Sequence, residues 1–248
     1  MIYVGVADWM IPKQYAHEFP AQGSHLQRYA SRYNAVEINS SFHTTHRPAT
    51  YARWGRAVPA DFRFSVKLPR EITHRRKLAD SVELLGAFID AVTQLGNRLG
   101  PLLVQLPPSL AYDPQVAPAF FGQLRARFTG AIVFEPRHPS WFEPERTTLL
   151  TDHQIARVAA DPPLAPGADQ PHGFSIPRYY RLHGSPDVYY TSYDETRLQQ
   201  LAAVLRRAAL ETADVWCIFD NTARQYATPN SLRLIAMLGQ SKWNDSQD

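Results

Sequence analysis

Short apolar runs recur along the 248-residue chain, each closed by a polar or proline-bearing segment and usually followed by residues in helical periodicity. Residues 2–7, 35–39, 63–67, 102–106, 131–135, 155–160, 179–183 and 215–219 have the apolar, β-branched and aromatic character of buried strands. Between them, residues 24–33, 49–58, 81–98, 114–128, 145–152, 195–210 and 231–238 read as helices. In 81–98, Val82, Leu84, Leu85, Phe88, Ile89, Val92 and Leu95 share one helical face, with Ser81 as N-cap and Gly100 as the stop. Eight strands alternating with helices over this length predict an α/β fold. The expected form is one (β/α)8 TIM-barrel-like domain over residues 1–240. A doubly wound sheet is the competitor, but Val6-Ala7-Asp8-Trp9-Met10 lacks its glycine-rich first turn. After strand six, Pro162, Pro163, Pro166 and Pro171 forbid a helix, so 162–173 is expected to replace it as a loop over the barrel mouth. Residues 241–248 read as a polar tail.

The chemistry collects where the apolar runs end. The run Ala131-Ile-Val-Phe meets Glu135, Arg137 and His138, with Pro136 and Pro139 ending the hydrogen-bond ladder. Strand two carries Glu37 and Asn39, and strand three Ser65 and Lys67, each pair two residues apart and so on one face. Strand four brings Gln105, strand six Asp161, strand seven Arg181 and His183, and strand eight Asp220-Asn221. Charges turned into a barrel are costly unless paired, solvated or bound to a ligand, so a ring of them marks a site. The plainer reading is a structural network, with Glu37 paired to Lys67 and Glu135 to Arg181.

Composition narrows the classes. The chain is 44% hydrophobic, enough for a sizeable core, and shows no apolar run of the roughly 18 residues that a membrane span needs. A single cysteine, Cys217, excludes an internal disulfide and a Cys-rich zinc site, and a cytoplasmic location is expected. The net charge of +3 permits anionic partners without demanding them. Glu37, Glu135, Asp161 and His183 could ligate a divalent ion, but Lys67 and Arg181 beside them oppose it, so no metal is expected. The loop after strand three carries the densest basic run, with Arg70, Arg75, Arg76 and Lys77, and Tyr189, Tyr190 and Tyr193 follow strand seven. Both suit phosphate or base contacts, or plain surface packing.

These segments resemble the YecE-like family, or domain of unknown function 72. The matching stretches are Val36-Glu37-Ile-Asn39-Ser-Ser-Phe42, Phe62-Arg-Phe-Ser-Val-Lys67-Leu-Pro69-Arg70 with Ile72-Thr73-His74, and Leu99-Gly-Pro-Leu-Leu-Val-Gln105-Leu-Pro-Pro108. Further matches are Phe134-Glu135-Pro-Arg137-His138-Pro-Ser140-Trp141, Tyr180-Arg181-Leu-His183-Gly184 and Phe219-Asp220-Asn221-Thr222. The resemblance implies a TIM-barrel-like fold and no particular activity. Two departures fall at strand ends. The family's Gly-Thr-Ser-Gly-Trp turn stands here as Gly5-Val-Ala-Asp8-Trp9, and a glycine expected near Arg224-Gln225-Tyr226 is missing.

The functional expectation is an acid/base enzyme acting on a phosphorylated or otherwise anionic substrate at the barrel's carboxyl face. Glu135, with a raised pKa, is the expected general acid or base, and His183 and His138 carry protons. Lys67 and Arg181 hold the anion and stabilise developing charge. Glu37, Asn39, Gln105, Arg137, Asp161 and Asn221 orient substrate. A nucleic-acid binder, nuclease-like in layout, is the alternative, working through Arg70, Arg75, Arg76 and Lys77. A catalytically silent barrel ranks third.

Overall fold

The computed structural model describes residues 1–240, so the expected polar tail lies outside the described residues. Its strands are β1 (Ile2–Val6), β2 (Ala35–Ile38), β3 (Arg63–Lys67), β4 (Leu99–Gln105), β5 (Ile132–Glu135), β6 (Ile155–Arg157), β7 (Ala159–Asp161), β8 (His172–Gly173), β9 (Arg178–Leu182) and β10 (Val215–Phe219). The helices are α1 (His25–Ala30), α2 (Pro48–Arg56), α3 (Val82–Val92), α4 (Val116–Arg127), α5 (Pro144–Asp152), α6 (Glu195–Glu211) and α7 (Ala227–Met237). Parallel pairing runs β2-β3-β4-β5-β6 on one side and β7-β9-β10-β1 on the other. The ring closes at two seams. Ala7 bridges Glu37, with Asp8 N–H donating to the Glu37 carbonyl at 2.8 Å. At the other seam, β6 and β7 are two halves of one stave broken at Val158: the first pairs with β5 and the second with β9.

In-register neighbours in a parallel sheet point the same way, so Gly5, Ile218, Arg181 and Ala160 form one inward layer. From Ile218 downward the interior is apolar. Tyr3, Ala35, Leu103, Val133, Ala156, Val158, Tyr179, Trp216 and Ile218 make a core of their own, with Trp216 stacked between Tyr3 and Tyr179. The alternate strand residues face outward into a second, larger core against the helices. Gly5 is required at its position, because a Cβ there would lie 2.4 Å from the Ala35 carbonyl oxygen.

The 162–173 connection forms no helix, as expected, but it lies against the barrel wall instead of looping over the mouth. Its β8 pairs antiparallel with β6, Ala160 N–H bonds the Ala168 carbonyl at 2.8 Å, and Arg157 reaches the Gly167 carbonyl. The segment is stitched into the wall, filling the gap left where the stave breaks. The expected helix 81–98 also ends early, at Val92. Gly96 takes φ 57°, which turns the following 3-10 segment into β4, and Gly100 lies inside that strand rather than acting as the stop.

Candidate functional site at the carboxyl-terminal mouth

Above the apolar floor, successive inward positions turn polar, and their side chains converge on one guanidinium. Arg181 is fully buried. Its Nε and one terminal nitrogen grip Glu37 at 3.1 and 2.7 Å, the latter nitrogen also donates to Asp220 at 3.0 Å, and the other meets Glu135 at 2.6 Å. Such bidentate, charge-assisted bonds are the strong kind. His183 sits two residues on and bridges the same carboxylates, with Nε2 3.0 Å from Glu135 and Nδ1 3.1 Å from Asp220. Glu135 accepts further bonds from Gln105 at 3.0 Å and from Arg137 at 3.1 and 3.2 Å. The Tyr179 hydroxyl closes the base of the network between Glu37 and Ser65, at 2.8 and 2.9 Å.

Burial alone would raise the Glu135 carboxyl, but Arg181, His183 and Arg137 more than offset it and hold the group well below the usual carboxylate range. Asp220 is likewise lowered by Arg181 and His183 against its own burial. Burial opposes the His183 imidazolium, yet Glu135 raises its pKa, as bonds to Asp220 and Glu135 do. Three carboxylates are thus matched by Arg181, Arg137 and the imidazolium. Lys67 is a fourth cation outside this balance. It is only 8% exposed, and no carboxylate lies within ion-pairing distance of it among the described residues. Its ammonium rests on the face of Phe42, 4.2 Å from the ring centre. Burial first, then Arg181, pushes it down to about 8.

His74 packs edge-on to the same Phe42 ring at 4.9 Å. Partial burial and then Lys67, Arg70 and Arg137 push His74 down to about 4, so it is neutral and surrounded by cations. Tyr189 completes the rim. It bonds Arg137, lies edge-on to His183 at 5.9 Å, and holds an unusual φ of 71° for an aromatic residue. A cavity of about 380 Å³ opens at the opposite, amino-terminal end among Tyr3, Arg63, Phe128 and Trp216, and the convergent charges of the mouth are not part of it.

With this geometry, the family model described as "Protein of unknown function DUF72" matches residues 3–247. The chain belongs to this DUF72 family. The UPF0759 protein YecE of Escherichia coli strain K12 is 31% identical over 169 residues, covering 65% of this chain and 59% of that protein. The match thus spans under two thirds of that relative's length. A crystal structure of a DUF72 protein from Enterococcus faecalis superposes with TM-score 0.79 at 22% identity, covering all of both chains. A D-tagatose 3-epimerase-like protein superposes at TM-score 0.51 and 12% identity over 96% of this chain, a likeness of fold alone.

The two departures from the family's pattern fall on positions of positive φ. Asp8, in the place of the turn's second glycine, has φ 65°, and Gln225 has φ 64°. Asp8 gains from the exchange: its carboxylate accepts the Asn39 N–H at 3.2 Å and so ties the end of β1 to β2. Gln225 is exposed, and among the described residues no comparable side-chain bond rewards its strain. Gln225→Gly is expected to stabilise the protein by about 1 kcal/mol, read from the urea midpoint at unchanged slope.

Of the residues singled out from the sequence, Glu37, Lys67, Gln105, Glu135, Arg137, Arg181 and His183 come together. Four do not. Asp161 lies on the outer face, bonded to Arg197 of α6 at 3.0 Å. Asn221 also has outward parity, and its amide holds the Thr191 carbonyl and Asn230. His138 folds back to cap the turn Pro139–Trp141, its Nδ1 2.9 Å from Ser140 Oγ. Asn39 has left the strand, and its buried side-chain oxygen lacks a partner. The raised pKa expected for Glu135 is reversed, because the guanidinium and imidazolium outweigh desolvation. Asp220 was placed in the strand-end ring but given no role, and Tyr179, His74 and Phe42 were missed as site residues. Strand alternation contained the signal for two of them: Trp216 and Ile218 face inward, so Asp220 follows, and Tyr179 is two before Arg181. Among the described residues no helix is long and apolar enough to cross a membrane.

Proposed function

We propose that the carboxyl-terminal mouth is the active site of an acid/base enzyme for a small anionic, most simply phosphorylated, substrate, with hydrolase, lyase or isomerase chemistry. The observation that carries this reading is the excess of cation over carboxylate at the rim. Lys67 and Arg70 stand beside a neutral His74, while the carboxylates below are consumed by Arg181, His183 and the inner edge of Arg137. Arg137 and Arg70 hold the anion. Lys67 moves a proton near neutral pH, and His183 is the second proton carrier, kept cationic by Glu135 and Asp220. Glu135 orients these groups rather than serving as the acid.

The nucleic-acid reading loses support from the same loop. Glu71–Arg75 forms a single π turn in which Arg75 and Arg76 both reach back to Glu71, so two of its four cations are already engaged.

A thermal-shift screen of phosphorylated and carboxylated metabolites tests the proposal. A hit at a hundred times its Kd adds about 2.7 kcal/mol and raises Tm by roughly 5–10 °C. Arg137→Met is expected to weaken that hit by about 10- to 100-fold, in line with loss of a charge-assisted contact. If no small anion shifts Tm and DNA oligomers bind with steep salt dependence, the proposal fails in favour of the alternative.

A further inference from the structure

Lysine is scarce in this chain: four lysines, at 13, 67, 77 and 242, stand against 22 arginines. Where a fixed positive charge is needed, at Glu37, Glu135 and Asp220, arginine supplies it. Lys13 and Lys77 are exposed on the surface. Lys67 alone among the described lysines is buried, at the carboxyl end of a barrel strand, on an aromatic face and without a carboxylate partner. An arginine at this position would stay charged, because a guanidinium does not lose its proton; a lysine in a dry setting does. The position therefore holds a cationic residue that becomes an amine nucleophile on deprotonation, which arginine does not.

We propose that Lys67 is a nucleophilic amine that condenses with the carbonyl of a small anionic aldehyde or ketone to form an imine. This deepens the reading of the mouth as an anion site and rests on it. The neutral amine attacks the carbonyl carbon, a C–N bond forms, and the carbonyl electron pair moves to oxygen, which takes up a proton as nitrogen gives one up. The resulting carbinolamine is protonated on its hydroxyl and loses water as the nitrogen pair forms C=N; the iminium then gives its proton back, so amine and carbonyl become imine and water with no oxidant or reductant. The imidazolium of His183 and the rim cations lie in the same mouth, the former suited to deliver the proton and the latter to receive the substrate's anionic group. An imine here withdraws electrons from the adjacent carbon, which serves isomerase or lyase chemistry.

The experiment incubates the full-length protein with dihydroxyacetone phosphate, glyceraldehyde 3-phosphate or pyruvate, and traps any imine with cyanoborohydride. Peptide mapping then locates the adduct. The expected result is one reduced adduct at Lys67, formed at least 10-fold faster than at Lys13, Lys77 or Lys242, with a rate that levels off above about pH 8. Lys67→Arg is expected to abolish it. Labelling that follows exposure, with Lys67 unmodified or no faster than Lys13 and Lys77, overturns the proposal even if the variant does not fold, because the mapping is made on the native chain. If these anions raise Tm but leave Lys67 untrapped, the anion-site reading stands and the imine is discarded. If they neither bind nor react, both fall.

Discussion

Arg181→Met is expected to cost about 3–5 kcal/mol of folding stability, the range for breaking a buried ion pair from one side. The substituted residue matches the arginine stem in length, so packing is largely kept and the loss is electrostatic. Glu37 would lose both its guanidinium bonds, while Glu135 and Asp220 would keep only part of theirs. These groups are 0, 1 and 7% exposed, so water cannot replace the missing partner without opening the barrel. In a protein of this size the loss lowers Tm by roughly 10 °C. Neutralising the carboxylates in the same protein, as Glu37→Gln, Glu135→Gln and Asp220→Asn, is expected to recover much of the stability, since a buried network can be exchanged for neutral groups at little cost. Chemical denaturation of the single and the quadruple variant measures both. A single-variant loss below about 1 kcal/mol would mean that the network is solvated and not the buried cluster described above.

Lys67 acts on stability in the opposite direction. Its folded pKa of about 8 is depressed from the ordinary 10.5, so the folded state disfavours the proton that the unfolded chain keeps. Below pH 8 the full penalty is present, about 3 kcal/mol at roughly 1.4 kcal/mol for each pH unit of difference. Between pH 8 and 10.5 the unfolded chain binds more protons than the folded one, so stability rises with pH, and above 10.5 this contribution is complete. Lys67→Met is therefore expected to be more stable than the native protein at pH 7, by about 2–3 kcal/mol. The difference should vanish towards pH 10.5. Comparing the two proteins cancels the buried tyrosines, whose pKa burial raises in both alike. A residue that weakens its own fold at working pH is the pattern of a site kept for chemistry.

Much of the barrel was legible because its strands are buried on both faces and read as continuous apolar runs. The mouth was legible where a charge interrupts such a run at an inward position, as with Glu37, Lys67, Glu135 and Arg181. Asp161 and Asn221 misled because they are polar and sit at strand ends, yet both have the parity that faces the helices. Tracking alternation from Ala156 and Val158, or from Trp216 and Ile218, separates them from Asp220. The protonation of Glu135 was not legible at all. It depends on a guanidinium 46 residues away in sequence and an imidazole 48 away, whose distances only the closed barrel sets. The wall-bound course of 162–173 was also hidden, since its two-residue strand β8 is too short to leave a periodic signal.

On this account the mouth receives an anion beside a buried amine that has no carboxylate partner among the described residues. Carbon-13 labelling of the four lysine Cε atoms permits a direct measurement, with the Lys67 resonance assigned by Lys67→Arg. Titration with the best anionic hit, or with inorganic phosphate, is expected to move the Lys67 resonance in a saturable way while those of Lys13 and Lys77 stay fixed. Arg137→Met should shift the midpoint to higher concentration. A Lys67 signal that does not respond, or that moves only in parallel with the surface lysines, would contradict an anion site at the carboxyl end of the barrel.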